Sequence, residues 1–292
     1  MEFTGERYIP TEQGKIRLEH YHRYAIILEF LTNKCVLDIA SGEGYGSAMM
    51  AQTAKSVVGV DIDSEAISHA TNTYQNVNNL TFLQGDVTAI PAKNESFDIV
   101  VSFETIEHLI EQYEMLTEIK RVLRKDGVLI ISSPNRPIYS EESGEHNKFH
   151  LKELDFYEFN QLLKGQFSQV QYYGQKMMIG STIQSIENRT STYQTWHDDG
   201  INIKTGSTLI QKPVYFLAVC GSNNATLPLL NASIIYPDKL DLVEHYVGFA
   251  KWAQAVDKTI IERDKQIIEY NNTINANNQQ IDSLNQIVEE RD

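Results

Sequence analysis

The stretch Val36-Leu-Asp-Ile-Ala-Ser-Gly-Glu-Gly-Tyr-Gly-Ser-Ala-Met-Met50 decides how the rest of the chain is read. Its apolar start, closed by Asp38, predicts a short buried strand. Gly42, Gly44 and Gly46 predict a turn whose backbone can approach a ligand where a Cβ would intrude, and Ala48-Met-Met-Ala51 predicts the inward face of a helix beginning there. The next apolar run, Val57-Val-Gly-Val-Asp61, ends in a second carboxylate about 20 residues past the glycines, where a doubly wound α/β fold sets an acid against a ribose diol. Glycine turn and acid together predict a nucleoside-bearing ligand.

Further runs extend the pattern. Leu80-Thr-Phe-Leu-Gln-Gly-Asp86 predicts a third strand ending in an acid, and Phe97-Asp-Ile-Val-Val-Ser-Phe-Glu104 a fourth, followed by a helix and by Val128-Leu-Ile-Ile-Ser-Ser133. Strands alternating with helices at this spacing imply a parallel sheet covered on both faces. The order and the strand endings resemble the class I S-adenosylmethionine-dependent methyltransferases over residues 1–225. That resemblance implies a doubly wound, Rossmann-like sheet closed by a terminal antiparallel hairpin, for which Gln169–Gln175 and Val214–Cys220 are the candidate strands. It also implies that Asp38 and the Gly42/Gly44 turn hold the methionine end of S-adenosylmethionine and that Asp61, with Ile62 beside it, takes the ribose hydroxyls. Asp86 and the Val87 amide would read the adenine, and Phe103 would line the pocket. Ala40 stands where such a turn usually has glycine and narrows it slightly.

Composition limits the acceptor. A formal net charge of -14 argues against nucleic acid as a partner, because displacing condensed counterions needs clustered Lys and Arg. The two cysteines, Cys35 and Cys220, lie in strand-like apolar runs and read as free buried thiols of a reducing compartment. No run approaches the roughly 20 apolar residues of a membrane span, and the N-terminus lacks an export-type apolar core, so the expectation is a cytoplasmic, non-spanning protein.

Residues 1–14 predict an extended arm and residues 16–31 a helix with Ile16, Tyr24, Ile27, Leu28 and Leu31 inward. The segments Gly5-Glu-Arg-Tyr-Ile-Pro and Glu19-His-Tyr-His-Arg-Tyr24 resemble the N-terminal signature of methyltransferases of bacterial surface-polysaccharide assembly, O-antigen and lipopolysaccharide type. In such enzymes this helix caps the cofactor pocket, which would let Arg23 or His20 pair with the methionine carboxylate. Helices are expected at Ser64–Tyr74, with Ile67 and Ala70 inward, and at Ile106–Leu123. The latter has Ile106, Leu109, Ile110, Tyr113, Leu116, Ile119 and Leu123 on one stripe and is stopped by Lys125-Asp-Gly127.

Methyl transfer to a hydroxyl needs alignment and somewhere for the proton to go. Two stretches past strand ends supply candidates: Glu104-Thr-Ile-Glu-His108 and Glu145-His-Asn-Lys-Phe-His150. The catalytic candidates are His108, His150 and Glu104, one of the two histidines being the base. If a helix began at Glu104, Glu104, Glu107 and His108 would share a face, similar to the divalent-ion cluster of quinone-biosynthesis O-methyltransferases. The same pair is also common without metal, and no metal ligand is assigned. Asn147 and Phe149 would meet the acceptor from the opposite side, and Thr190-Ser-Thr-Tyr-Gln-Thr-Trp-His197 offers aromatic and polar groups suited to sugar rings or an ordinary structured loop.

After a linker at 226–240, residues 241–292 carry a seven-residue apolar repeat: Tyr246, Ala253, Ile260, Ile267, Ile274, Ile281 and Val288, with Phe249, Val256, Tyr270 and Leu284 on a second seam interrupted by Arg263, Asn277 and Arg291. This predicts a parallel coiled coil, with three strands favoured over two. The leading functional expectation is an O-methyltransferase acting on a sugar hydroxyl of a lipid-linked surface polysaccharide, one that can cap the chain. Rivals are methylation of a small phenol or quinone and a non-catalytic scaffold recruiting glycosyltransferases. A dinucleotide-dependent oxidoreductase has no role for Asp86 or for the Phe103–His108 stretch.

Overall fold

The computed structural model describes residues 14–144, 146–183, 194–198, 200–206, 209–237 and 242–289. The N-terminal arm, Glu145, the first residues of the polar-aromatic insertion and Arg291 lie outside the described residues. Two compact units divide the chain, Met1–Tyr236 and Pro237–Asp292. The boundary expected at 225 falls inside the first unit, where Ala225 and Leu230 are buried with the core.

In chain order the elements are α1 (Lys15–Ala25), β1 (Cys35–Ile39), α2 (Tyr45–Ala51), β2 (Ser56–Asp61), α3 (Ser64–Thr73), β3 (Leu80–Gln84), β4 (Phe97–Ser102), α4 (Gln112–Val122), β5 (Leu123–Pro134), α5 (Phe156–Gln166), β6 (Gln169–Gln175), β7 (Trp196–Asp198), β8 (Ile203–Thr205), β9 (Tyr215–Gly221) and α6 (Leu242–Glu289). Seven strands form one sheet in the order β3-β2-β1-β4-β5-β9-β6, with β1 to β5 parallel and β9 antiparallel to both its neighbours. β7 and β8 make a separate small hairpin. The central strands are nearly continuous apolar runs because both sheet faces are covered, one cluster packing Leu37, Val100 and Leu129 and the other Val36, Val101 and Ile130. The strand order reverses between β1 and β4, and the crevice beyond their C-terminal ends is where this architecture binds ligands.

Three sequence expectations need correction. The helix expected from Ile106 to Leu123 is two pieces, a single tight turn Ile106–His108 and then α4. The reason is local: the Ile106 carbonyl accepts from the Gln112 side-chain amide, and the Glu107 carbonyl accepts from the Leu151 and Lys152 backbone amides, so neither feeds a continuing helix. As a result Ile110 and Tyr113 are 58% and 57% exposed rather than inward, and α4 ends before Lys125-Asp-Gly127, which belongs to β5. Second, α1 stops at Ala25 and buries Glu19 and Arg23 as well as Leu18 and Tyr24, while Ile16 is only partly covered. Third, Ala66 and Ala70, not Ile67, are the fully buried residues of α3, whose start is capped by the Asp63 carboxylate accepting from the Glu65 amide.

The glycines also divide by role. Of the three glycines in the turn after β1, Gly42, at φ +53°, faces open space, whereas a Cβ at Gly44 would lie 2.5 Å from the Phe82 ring and one at Gly46 would lie 2.1 Å from Tyr24 Cζ. Gly46 sits in α2 with ordinary helical geometry, so its constraint is packing, and Tyr24 is itself wedged edge-on against Tyr45 and Phe103. Gly46→Ala should therefore destabilise the protein by about 1–3 kcal/mol through overpacking. A urea titration giving an unchanged midpoint would defeat this account of the α1–α2 contact.

Candidate active site

β1 ends in Asp38, which is fully buried and accepts from Ser47 Oγ at 2.6 Å and Tyr24 Oη at 3.3 Å. Burial pushes its carboxyl up to about 7, against the pull of those two hydroxyls and with a further push from Asp61. β2 ends in Asp61, whose Oδ2 accepts the Gly42 amide at 2.8 Å and whose Oδ1 accepts the Asp63 amide at 2.9 Å, tying the acid to the glycine turn. Asp86, just past β3, is exposed and accepts from the Thr88 amide and hydroxyl, which hold it below the usual carboxylate range. Val87 is buried, Phe103 is buried edge-on to Tyr24, and Ile62 is 66% exposed beside Asp61. These residues ring the ends of β1 to β4.

Ala40 and Glu104, at the ends of β1 and β4, both have left-handed backbones at φ 54° and 50°. Each costs about 1–2 kcal/mol for a residue with a Cβ. The missing glycine at 40 thus shows itself as backbone strain next to the crevice, the place where folds tolerate it.

Arg23 is buried beneath α1. Its Nη1 donates to Gln175 Oε1 at 2.7 Å, it lies 3.7 Å from Glu104 Oε1 and over the Tyr215 ring at 4.7 Å, and its Nε and Nη2 have no hydrogen-bond partner among the described residues. His20, the other residue considered for the same role, bonds Tyr45 Oη at 3.0 Å; burial and Arg23 push its imidazole well below the usual range, so it stays neutral at pH 7. Arg23 is the cation of this corner. Gln175 and Tyr215 are register partners at the end of the β6–β9 hairpin, a pairing that no local sequence signal announces.

On the other flank, Glu104 does not share a helix face with Glu107 and His108. Its Oε1 accepts from Ser132 Oγ at 2.6 Å, and its backbone amide donates to the same serine oxygen at 2.9 Å, turning it toward Arg23. His108 Nδ1 sits 3.0 Å from the Phe149 carbonyl, which only an N–H donor satisfies, so Nε2 carries the ring's lone pair. That Nε2 is 3.9 Å from Glu107 Oε1. Glu107 is fully buried with neither oxygen hydrogen-bonded, and burial, reinforced by Glu104, holds its carboxyl well above the usual range. His150 meets His108 edge-on at 5.0 Å but is engaged at both nitrogens, Nδ1 by Glu153 at 2.5 Å and Nε2 by the Asn147 amide at 3.1 Å, and it stacks on Tyr139. Among the described residues, Glu107, His108 and His150 offer ligand atoms all within 4.8 Å of one another, a different trio from the one the helix reading grouped.

The fold is that of an α/β methyltransferase with a central, mostly parallel sheet. Residues 37–131 match the family model described as a methyltransferase domain. A Mycolicibacterium smegmatis protein described as a probable S-adenosylmethionine-dependent methyltransferase is 35% identical over 168 residues, 55% of this chain and 63% of that protein. A Mycobacterium tuberculosis protein described in the same way is 36% identical over 167 residues, 55% of this chain and 58% of that protein. The chain thus spans about three fifths of the length of these curated relatives. The crystal structure of YcgJ from Bacillus subtilis superposes with a TM-score of 0.50 at 17% identity, covering 70% of this chain and all of that one, a likeness of fold. No helix among the described residues is long and apolar enough to cross a membrane.

The residues at the crevice fit S-adenosylmethionine. Open space stands over Gly42, Asp61 borders it with a carboxylate, and Arg23 keeps two buried donor groups without hydrogen-bond partners among the described residues, the complement of an α-carboxylate. Asp38 gives the test of the site's electrostatics. Unfolding lets its carboxyl ionise near 4, whereas the native state without ligand holds the proton to about 7, so the stability it contributes is present below pH 4 and lost as pH rises through 7. Ligand-free Asp38→Asn should accordingly be more stable than the wild type by on the order of a few kcal/mol at pH 8, with the gap closing toward pH 4. Urea unfolding at pH 8 and pH 5 measures it, and a gap independent of pH would overturn the assignment.

Proposed function

We propose that the protein transfers the methyl group of S-adenosylmethionine to a hydroxyl of a saccharide, an acceptor belonging to a bacterial surface polysaccharide. The observation that carries the proton-removal step is His108, oriented by the Phe149 carbonyl and backed by the buried Glu107 carboxyl. Bound in the crevice, the cofactor would supply a methyl carbon made electrophilic by a sulfonium. Asp61 would hold the ribose diol, Asp86 and Val87 the adenine edge, and Arg23 the α-carboxylate. His108 Nε2 would accept the proton as the acceptor oxygen bonds to carbon and the carbon–sulfur bond breaks. His150, committed to Glu153 and Asn147, would orient the acceptor. Support for a sugar comes from the ring series Tyr215, Tyr139 and His150, with successive centroids 5.6 and 5.4 Å apart, because sugar rings present apolar faces to aromatic planes and hydroxyl edges to polar neighbours.

A second reading is favoured by one observation. Glu107 buries two unpaired oxygens beside two histidines, which is the donor set for a divalent cation, and an ion there would serve a phenol or quinone acceptor instead. Loss of activity to a chelator, restored by one divalent ion, would move this reading ahead.

Asp61→Ala should weaken S-adenosylmethionine binding by about 2–4 kcal/mol, the loss of two charge-assisted hydrogen bonds. Calorimetry with unchanged affinity would sink the cofactor assignment. His108→Ala should lower turnover on glycan acceptors by about two to four orders of magnitude with little change in cofactor affinity. Near-normal turnover in that variant would assign proton removal elsewhere.

A further inference from the structure

Two charged groups at the crevice take no part in the proton transfer and stand side by side: the Arg23 guanidinium and the Glu104 carboxylate, 3.7 Å apart. That separation is longer than a hydrogen bond, so each group keeps its bonding capacity. Each is held instead by a neutral side chain. Gln175 Oε1 accepts from Arg23 Nη1 at 2.7 Å while its amide nitrogen donates to the Glu19 carbonyl at 2.9 Å, which pins both the guanidinium and the turn of α1 that carries it. Ser132 Oγ donates to Glu104 Oε1 at 2.6 Å and accepts from the Glu104 amide at 2.9 Å. Among the described residues, Nε and Nη2 of the buried arginine and Oε2 of the glutamate are left without hydrogen-bond partners.

Other acids at the crevice are engaged or closed off. Asp38 accepts from Ser47 and Tyr24, Asp61 accepts from the Gly42 and Asp63 amides, and Glu107 is fully buried. Glu104 leaves 14% of its side chain open, just past the C-terminal end of β4, beside the point where the strand order reverses. Its backbone is left-handed at φ 50°, a strain that persists where the surroundings fix a side chain in one place. A buried cation beside an anion that does not hydrogen-bond to it is costly to a fold. The pair matches one kind of ligand, an α-amino acid, whose carboxylate and ammonium share a carbon and therefore need receptors of opposite sign side by side.

We propose that Glu104 binds the α-ammonium of S-adenosylmethionine while Arg23 binds its carboxylate, and that Gln175 and Ser132 are the positioning residues of this pair. The assignment rests on the cofactor reading and gives Glu104 a binding role in place of the catalytic one expected from its sequence position. Calorimetry with three ligands separates the two charges: S-adenosylhomocysteine, its analogue lacking the amino group and its analogue lacking the carboxylate. Glu104→Gln should weaken both ammonium-bearing ligands by about tenfold or more and leave the analogue without the amino group within about twofold of its wild-type affinity. Ser132→Ala should show the same pattern at smaller size, and it decides the matter if Glu104→Gln does not fold. Gln175→Met should weaken the two carboxylate-bearing ligands by about threefold or more and spare the one without a carboxylate. Equal losses for all three ligands in the Glu104 and Ser132 variants, or unchanged affinity of Glu104→Gln for S-adenosylhomocysteine, would overturn the assignment of Glu104. Equal losses in Gln175→Met would overturn that of Gln175. A wild-type protein that binds all three ligands equally well would rule out the paired receptor, and one that binds none would remove the cofactor reading beneath it.

Discussion

The hydroxyl of Tyr24 reaching the buried carboxyl of Asp38 ties together elements that otherwise meet only through the sheet. Tyr24 lies on α1, Asp38 ends β1, and the same ring lies over Gly46 of α2 and packs edge-on to Phe103 after β4. Removing any one partner loosens the others: a larger residue at 46 pushes the ring, and a displaced ring leaves Asp38 with Ser47 alone. The contact also closes α1 over the crevice, which places Arg23, one residue earlier, beneath the cap. The ligand side and the packing side of the site are therefore set by the same helix turn.

Charge is concentrated in that cap against the usual cost of burial. Arg23 is one buried cation, and Glu19, Glu104 and Glu107 are carboxyls around it. Desolvation wins over Coulomb attraction at Glu19 and Glu107, both held above the ordinary carboxylate range, so the cluster is not a set of ion pairs at full charge. Arg23 is held charged by Glu104, Tyr215 and Glu19, although burial opposes it. A buried guanidinium with unspent donors is costly as a structural feature and reasonable as a pocket that receives an anion.

The sheet was legible because its signal is local. Continuous apolar runs ended by Asp38, Asp61 and Asp86 mark parallel strands and their ligand ends within a few residues, whereas the antiparallel hairpin of Gln169–Gln175 with Tyr215–Gly221 was expected from the resemblance to methyltransferases and not from such a run. What the sequence misread depended on partners far along the chain. Ile106–Leu123 has good helical periodicity, yet the loop at 149–152 takes the Glu107 carbonyl and breaks the helix, and this separated Glu104 from His108. Ser47, Ser132, Gln175, Tyr215 and Glu153 were missed as parts of the site for the same reason. Each acts through a contact set by tertiary register, and Gly44 and Gly46 carry a packing role against Phe82 and Tyr24 that no local signal announces.

The C-terminal helix inverts that relation. There a single chain shows only an exposed apolar seam, and the information lies in the spacing of residues. A helix face of half-exposed isoleucines leaves apolar area that no residue of α6 covers. A catalytic site fixes its partners by geometry within the chain, whereas a self-association seam fixes them by repetition.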